Sequence, residues 1–127
     1  MLYLVIILIT QINNTMNKTL VFAGTYNESK NILRLINEVF ESSNQVNLLI
    51  IDDNSPDKTF EIVNSHNQIN KKLFLIKREK KSGLDTAHKL AYKYAKEKGY
   101  EKLITMDADL SHDPREIPKF INLLKNN

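Results

Sequence analysis

The chain contains no cysteine, which excludes disulfides, thiolate metal sites and a cysteine nucleophile, and fits a reducing compartment. Glycine is scarce, with three in 127 residues, and the segment Gly24-Thr25-Tyr26-Asn27-Glu28 has neither G-x-G-x-x-G nor G-K-[ST]. That argues against a dinucleotide oxidoreductase and against a P-loop NTPase. The three histidines are not at metal-motif spacing from one another, so a zinc site is disfavoured. The net charge of +3 is mild and the lysines are scattered, which argues against a nucleic-acid partner. Long apolar runs are missing too. The longest, Leu2 to Ile9, has eight residues, against roughly 20 for a spanning helix. It lacks the basic start and the small-residue cleavage site of a secretory signal. Residues 1–16 are therefore expected to be a short apolar leader, or an upstream stretch before a true start at Met16. Residues 17–127 are expected to hold the folded domain.

What is present is ordinary for one globular domain: 42% hydrophobic and 26% charged residues. From Lys18 onward, short apolar runs alternate with helical periodicity. Strands are predicted at Thr19–Ala23, Val46–Ile51, Leu73–Ile76 and Leu103–Met106, the second apolar enough to be buried on both faces. Ile32, Leu33, Ile36, Val39 and Phe40 mark one amphipathic helix. Ser55-Pro56-Asp57 reads as the cap, first residue and first-turn acid of a short helix containing Phe60 and Val63. Leu84, Ala87, Leu90, Ala91, Tyr94 and Ala95 mark the longest helix, stopped by Gly99. Ile117, Phe120, Ile121 and Leu124 form a last stripe, in which Pro118 predicts an irregular first turn. Four strand–helix units predict an α/β domain with a mainly parallel sheet.

In such sheets ligands bind outside the carboxyl ends of the strands, and the polar clusters fall there. Asp107 and Asp109, at i and i+2 after an apolar run, are expected on one face of the strand end. Like charges side by side make a poor structural pair. They make a good half-site for a hard divalent cation, whose shell phosphate oxygens complete. Helix capping accounts for Asp113, followed by Pro114, but not for Asp107 or Asp109. Tyr26 and Glu28 after the first strand suit a flat ring and a base or hydroxyl, although Tyr26 could also be core and Glu28 a helix-start acid. Of the pair closing the second strand, Asp53 is expected to bind ligand and Asp52 to shape the turn. The basic loop Arg78-Glu79-Lys80-Lys81-Ser82-Gly83 suits phosphate, with a solvated charge run as the plainer reading for most of it.

Taken together, Thr25-Tyr26-Asn27-Glu28, Asp52-Asp53-Asn54-Ser55-Pro56-Asp57, Gly83-Leu84-Asp85-Thr86-Ala87 and Asp107-Ala108-Asp109-Leu110-Ser111-His112-Asp113-Pro114 resemble the family-2 glycosyltransferases, and within them the polyprenyl-phosphate (dolichol-phosphate) mannosyltransferases. The resemblance implies a Rossmann-like GT-A fold and transfer of mannose from GDP-mannose to a polyprenyl phosphate, with inversion. It implies Mg²⁺ or Mn²⁺ on Asp107 and Asp109, the catalytic pair. It places Tyr26, Glu28, Ile51 and Asp53 on the GDP moiety and the Ala108 backbone on the donor, with Gly24 in the same donor loop. It also implies a location at the cytoplasmic membrane face. The same carboxylates are compatible with another donor such as UDP-glucose. Departures are Gly24 where the family has proline, Lys58 and Asp85 where it has glycine, and Ser111 where some relatives supply a glutamine metal ligand. Family members run roughly another hundred residues, so this chain resembles the donor-binding half. The acceptor half is expected from a second chain, or the product binds nucleotide sugar without transferring it.

Overall fold

The computed structural model describes residues 5–8, 17–80 and 83–125. Half of the Leu2–Ile9 run, Met16, and Lys81 and Ser82 of the basic loop lie outside the described residues.

The sheet is built from β1 (Val5–Leu8), β2 (Thr19–Thr25), β3 (Val46–Asp52), β4 (Leu73–Lys77) and β5 (Lys102–Thr105), in spatial order β1-β5-β2-β3-β4. The four strands predicted from sequence are all there and pair in parallel. The sequence reading did not foresee β1, which pairs antiparallel to β5 with Val5 opposite Thr105 and Leu8 opposite Lys102. An eight-residue apolar run without alternation carries no period to separate strand from leader.

Apolar residues of the central strands alternate between two cores. Val21, Ala23, Val46, Leu48, Ile50 and Ile104 face one side, and Leu20, Phe22, Leu49, Ile51 and Leu103 the other. Every residue of β3 is buried, as its unbroken apolar run predicts. The first core is closed by α1 (Ile32–Ser42), α2 (Thr59–Asn64) and α4 (Ile117–Lys125). The second is closed by α3 (Leu84–Lys98), whose Ala87, Ala91 and Ala95 form a small-residue stripe on the sheet.

In α1 the buried stripe is Ile32, Leu35, Ile36 and Val39, an i, i+3, i+4, i+7 set. Leu33, expected in it, is 49% exposed because it sits one position off that stripe. Gly99 ends α3 in the left-handed conformation at φ 85°. Pro118 is preceded by a 3₁₀ turn, Pro114–Glu116, with Asp113 accepting from the Arg115 backbone N–H at 3.0 Å, so the first turn is irregular as expected.

One expectation fails locally. Ser55-Pro56-Asp57 does not open α2. The helix begins at Thr59, and Lys58 at its N-cap position has φ 74°. Asp57 accepts from the Thr59 backbone N–H at 3.1 Å and from the Ser29 backbone N–H at 3.1 Å, and the start lies three residues further on, tied to the loop after β2. Ser55 is used elsewhere, as described next.

Candidate active site

Chain order turns back between β2 and β5: β3 and β4 build outward on one side of β2, and β5 lies on the other. The carboxyl ends of β2 and β5 therefore flank the crevice where open α/β sheets hold ligands. Thr25–Glu28 lies on one side of it and Asp107–Asp109 on the other.

Asp107 and Asp109 are not on the strand. β5 ends at Thr105, and Leu110 takes φ 66°, so the pair stands in a turn and strand alternation does not set its direction. Hydrogen bonds do. The Ser111 backbone N–H donates to Asp109 Oδ1 at 2.9 Å, and the Ser111 hydroxyl lies 3.4 Å from Asp107 Oδ2. The Asp107 backbone N–H donates to His112 Nδ1 at 2.8 Å. Hydrogen bonds from Ser111 hold the Asp109 carboxyl below the ordinary aspartate range. Ala108, between the two aspartates, is buried.

Glu28 stands across the crevice. Burial raises its carboxyl above the ordinary range, a hydrogen bond from Asn31 partly offsets this, and the charges of Asp109 and Asp57 raise it further. Three acids from three loops thus share one field, an arrangement that a bound cation relieves. Among the described residues no group of three or more histidine, cysteine or carboxylate side chains is placed to enclose a metal ion. Two carboxylate ligands, with the other positions left to phosphate and water oxygens, fit Mg²⁺ or Mn²⁺ at a diphosphate and not a closed protein cage.

A second recess lies alongside. Gly24, Thr25, Tyr26, Asp53, Gly83, Leu84 and Ala87 line a cleft of about 110 Å³. Tyr26 is 39% exposed at its edge. A Cβ on Gly24 would meet Phe22 at 3.4 Å and Leu84 at 3.7 Å, ordinary contacts, so the missing side chain leaves room without being forced. Larger hollows occur elsewhere, such as one of about 590 Å³ bordered by Arg34, Glu38, Glu41, Ser42 and Arg115. None of the site carboxylates lines it, and the convergence of strand ends locates the site better than volume does.

The two aspartates closing β3 divide their roles. Asp52 is fully buried and accepts from the Thr25 hydroxyl at 2.7 Å, the Ser55 hydroxyl at 2.7 Å and the Ser55 backbone N–H at 3.0 Å. Ser55 in turn accepts from the Asn27 backbone N–H at 2.9 Å. Asp52 therefore knits the β2 and β3 loops together. Asp53 faces the cleft and is paired bidentately with Arg78, Nη2 to Oδ2 at 2.7 Å. Arg78 also donates to the Thr86 hydroxyl at 2.7 Å and the Gly83 carbonyl at 3.2 Å. From sequence, Arg78 belongs to a basic loop suited to phosphate, with a solvated charge run as the plainer reading for most of it, and nothing there pairs it with Asp53. Its side chain is only 14% exposed, and its partner Asp53 12%.

The structure thus brings Gly24, Tyr26 and Asp53 into one cleft and sets Glu28 beside Asp109. It does not bring the Ile51 side chain, which is wholly buried under α3. Asp85 lies in the first turn of α3, where an acid suits the helix dipole, so glycine is not needed there. Lys58 does occupy a glycine-like conformation.

The model of the family described as glycosyl transferase family 2 matches residues 21–127. The chain is 32% identical over 106 residues to a polyprenol monophosphomannose synthase of Mycolicibacterium smegmatis, covering 83% of this chain and 40% of that protein. It is 34% identical over 113 residues to a dolichol-phosphate mannosyltransferase of Pyrococcus furiosus, covering 86% of this chain and 30% of that one. Among solved structures it is similar to S. aureus TarS (residues 1–349), with TM-score 0.68, 25% identity and coverage of 86% and 32%. It shares its fold with the mannosyltransferase PcManGT of Pyrobaculum calidifontis in complex with GDP-Man and Mn²⁺, at TM-score 0.60, 19% identity and coverage of 80% and 30%. The chain spans well under half the length of these relatives.

Proposed function

This chain belongs to glycosyl transferase family 2, and from that premise we propose that it carries the donor side of a GT-A mannosyltransferase moving mannose from GDP-mannose to a polyprenyl phosphate at a membrane surface. The observation that carries the reading is the placing of Glu28 beside Asp109, with Asp107 in the same turn, where the crevice between β2 and β5 opens, together with the cleft lined by Tyr26 and Asp53.

Each group has a task. Tyr26 offers a flat, half-open ring for the base, and Asp53 accepts hydrogen bonds from base or ribose while Arg78 fixes its direction. Asp107 and Asp109 would hold Mg²⁺ or Mn²⁺, which when bound neutralises charge on the departing diphosphate. In the transfer, an oxygen of the acceptor phosphate bonds to the anomeric carbon as the bond to the GDP oxygen breaks. The electron pair leaves with GDP, and the configuration inverts. A phosphate monoester is already anionic near neutral pH, so no strong general base is required of the protein. Mannosyl transfer to a polyprenyl phosphate is supported by the names of two relatives, a polyprenol monophosphomannose synthase and a dolichol-phosphate mannosyltransferase, and the donor and metal by the GDP-Man and Mn²⁺ bound in PcManGT.

The test is calorimetric titration of the whole chain with GDP-mannose, with and without Mn²⁺, against UDP-glucose. Metal-dependent, GDP-selective binding that Asp109→Ala abolishes without changing the fold is expected. Binding indifferent to Mn²⁺ or to Asp109→Ala would overturn the metal assignment, and preference for UDP-glucose would overturn the donor.

A further inference from the structure

We infer that His112, which takes no part in the chemistry above, is a positioning residue that sets the Asp107–Asp109 turn for the cation. The inference rests on the proposed metal half-site.

A backbone N–H cannot accept a hydrogen bond. With the Asp107 N–H donating to His112 Nδ1 at 2.8 Å, Nδ1 must present its lone pair, and the ring is the Nε2–H tautomer. The imidazole is only 2% exposed, so this acceptor sits in a packed and fixed place. The bond joins the two ends of the turn that leaves β5. Within the turn, Leu110 is held at φ 66°, a conformation that a branched side chain takes only where its surroundings impose it. Ser111, next to His112, is the residue that touches both carboxylates, by N–H to Asp109 Oδ1 and by hydroxyl toward Asp107 Oδ2. Fixing His112 therefore fixes the Asp107 main chain directly and both carboxylates through Ser111. Preorganisation counts for more here than in a closed cage, because among the described residues no third ligand stands ready to complete the shell. Groups behind the ligands of a metal typically change its affinity by about 10- to 100-fold.

The chemistry supplies a discriminating set of variants. In asparagine the amide oxygen lies two bonds from Cβ, as Nδ1 does in histidine, whereas in glutamine it lies one bond further, nearer the place of Nε2. His112→Asn thus keeps the acceptor for the Asp107 N–H, His112→Gln displaces it, and His112→Phe keeps the ring volume with no acceptor. The experiment titrates the full chain with Mn²⁺ alone, reading free Mn²⁺ by electron paramagnetic resonance, beside thermal melts of the metal-free proteins. Expected is Mn²⁺ affinity for His112→Asn within about threefold of the native chain, and a loss of about tenfold or more for His112→Gln. His112→Phe should match the glutamine variant whatever its melting temperature. Equal affinities for the asparagine and glutamine variants, or losses that track melting temperature, would overturn the positioning role. Absence of Mn²⁺ binding by the native chain would instead remove the half-site and the inference with it.

Discussion

Asp52 and Asp53 are adjacent and chemically identical, yet one is buried under three hydrogen bonds and the other faces a cleft against a guanidinium. The division follows from strand alternation, since neighbours at a strand end point to opposite sides. That logic was available from the sequence. Arg78 was not, because its partner lies 25 residues earlier and only the parallel pairing of β3 with β4, Asp52 opposite Lys77, brings them together. Both side chains are mostly shielded, so removing one leaves a charge without its partner. Arg78→Ala and Asp53→Ala are each expected to cost about 2 kcal/mol in denaturant unfolding, and the double variant distinctly less than the sum. Arg78→Lys should keep the charge but lose the two-pronged geometry, weakening nucleotide binding more than stability. Strict additivity in the cycle would show that the pair is not coupled.

Among the elements, α2 departs furthest from the sequence reading. Ser55-Pro56-Asp57 is a sound capping pattern by itself and predicts the start there. Tertiary demands took the first residue for Asp52 and the third for Ser29 and Thr59, leaving Lys58 to turn the chain at φ 74°. By contrast Asn27, Asn54 and Asn70 also have positive φ, but asparagine tolerates it. Lys58→Gly is thus expected to stabilise the protein by about 0.5–1 kcal/mol, raising the melting temperature by a few degrees. No change, or a loss, would mean that Lys58 is not strained. Asp57 gives the same element a pH dependence. Burial alone would raise its carboxyl, but hydrogen bonds from Thr59 and Ser29 outweigh this and bring it down to about 2, from an ordinary 3.8. A carboxyl lowered by folding stabilises fully above the unfolded value and loses that contribution as pH falls through the folded one. The stability it adds should therefore vanish between about pH 4 and pH 2. Asp57→Asn should lower stability at pH 7 and flatten the acid limb in that window, as urea titrations across the range would show. The four parallel strands, the α3 stop at Gly99 and the 3₁₀ turn before Pro118 were all legible, because each is set by local pattern or backbone stereochemistry. The start of α2 was not, being decided by neighbours distant in sequence.

For the molecule as a whole, the sheet has two unlike edges. β4 ends one side with only its first residue fully buried. At the other, β5 is covered by β1, four residues from the stretch read as a leader, and that is the one antiparallel pairing among the described strands. The remaining strands form a parallel sheet with helices on both faces. An uncovered β5 would present a row of unpaired backbone groups flanked by the buried Leu103 and Ile104, a template for pairing with another chain. Deleting residues 1–16 is therefore expected to leave a folded domain with the same donor preference, less stable by about 1–3 kcal/mol for the lost strand pairing. Amide exchange at Lys102–Thr105 should quicken, with exchange in β3 unchanged, and association should rise with protein concentration. Hydrogen-exchange mass spectrometry of both forms, with sedimentation over a concentration series, reads all of this. Unaltered exchange at β5 would mean that β1 does not hold that edge in solution. Global loss of protection would mean instead that the first sixteen residues are an integral strand of the domain, and the boundary at residue 17 would fall.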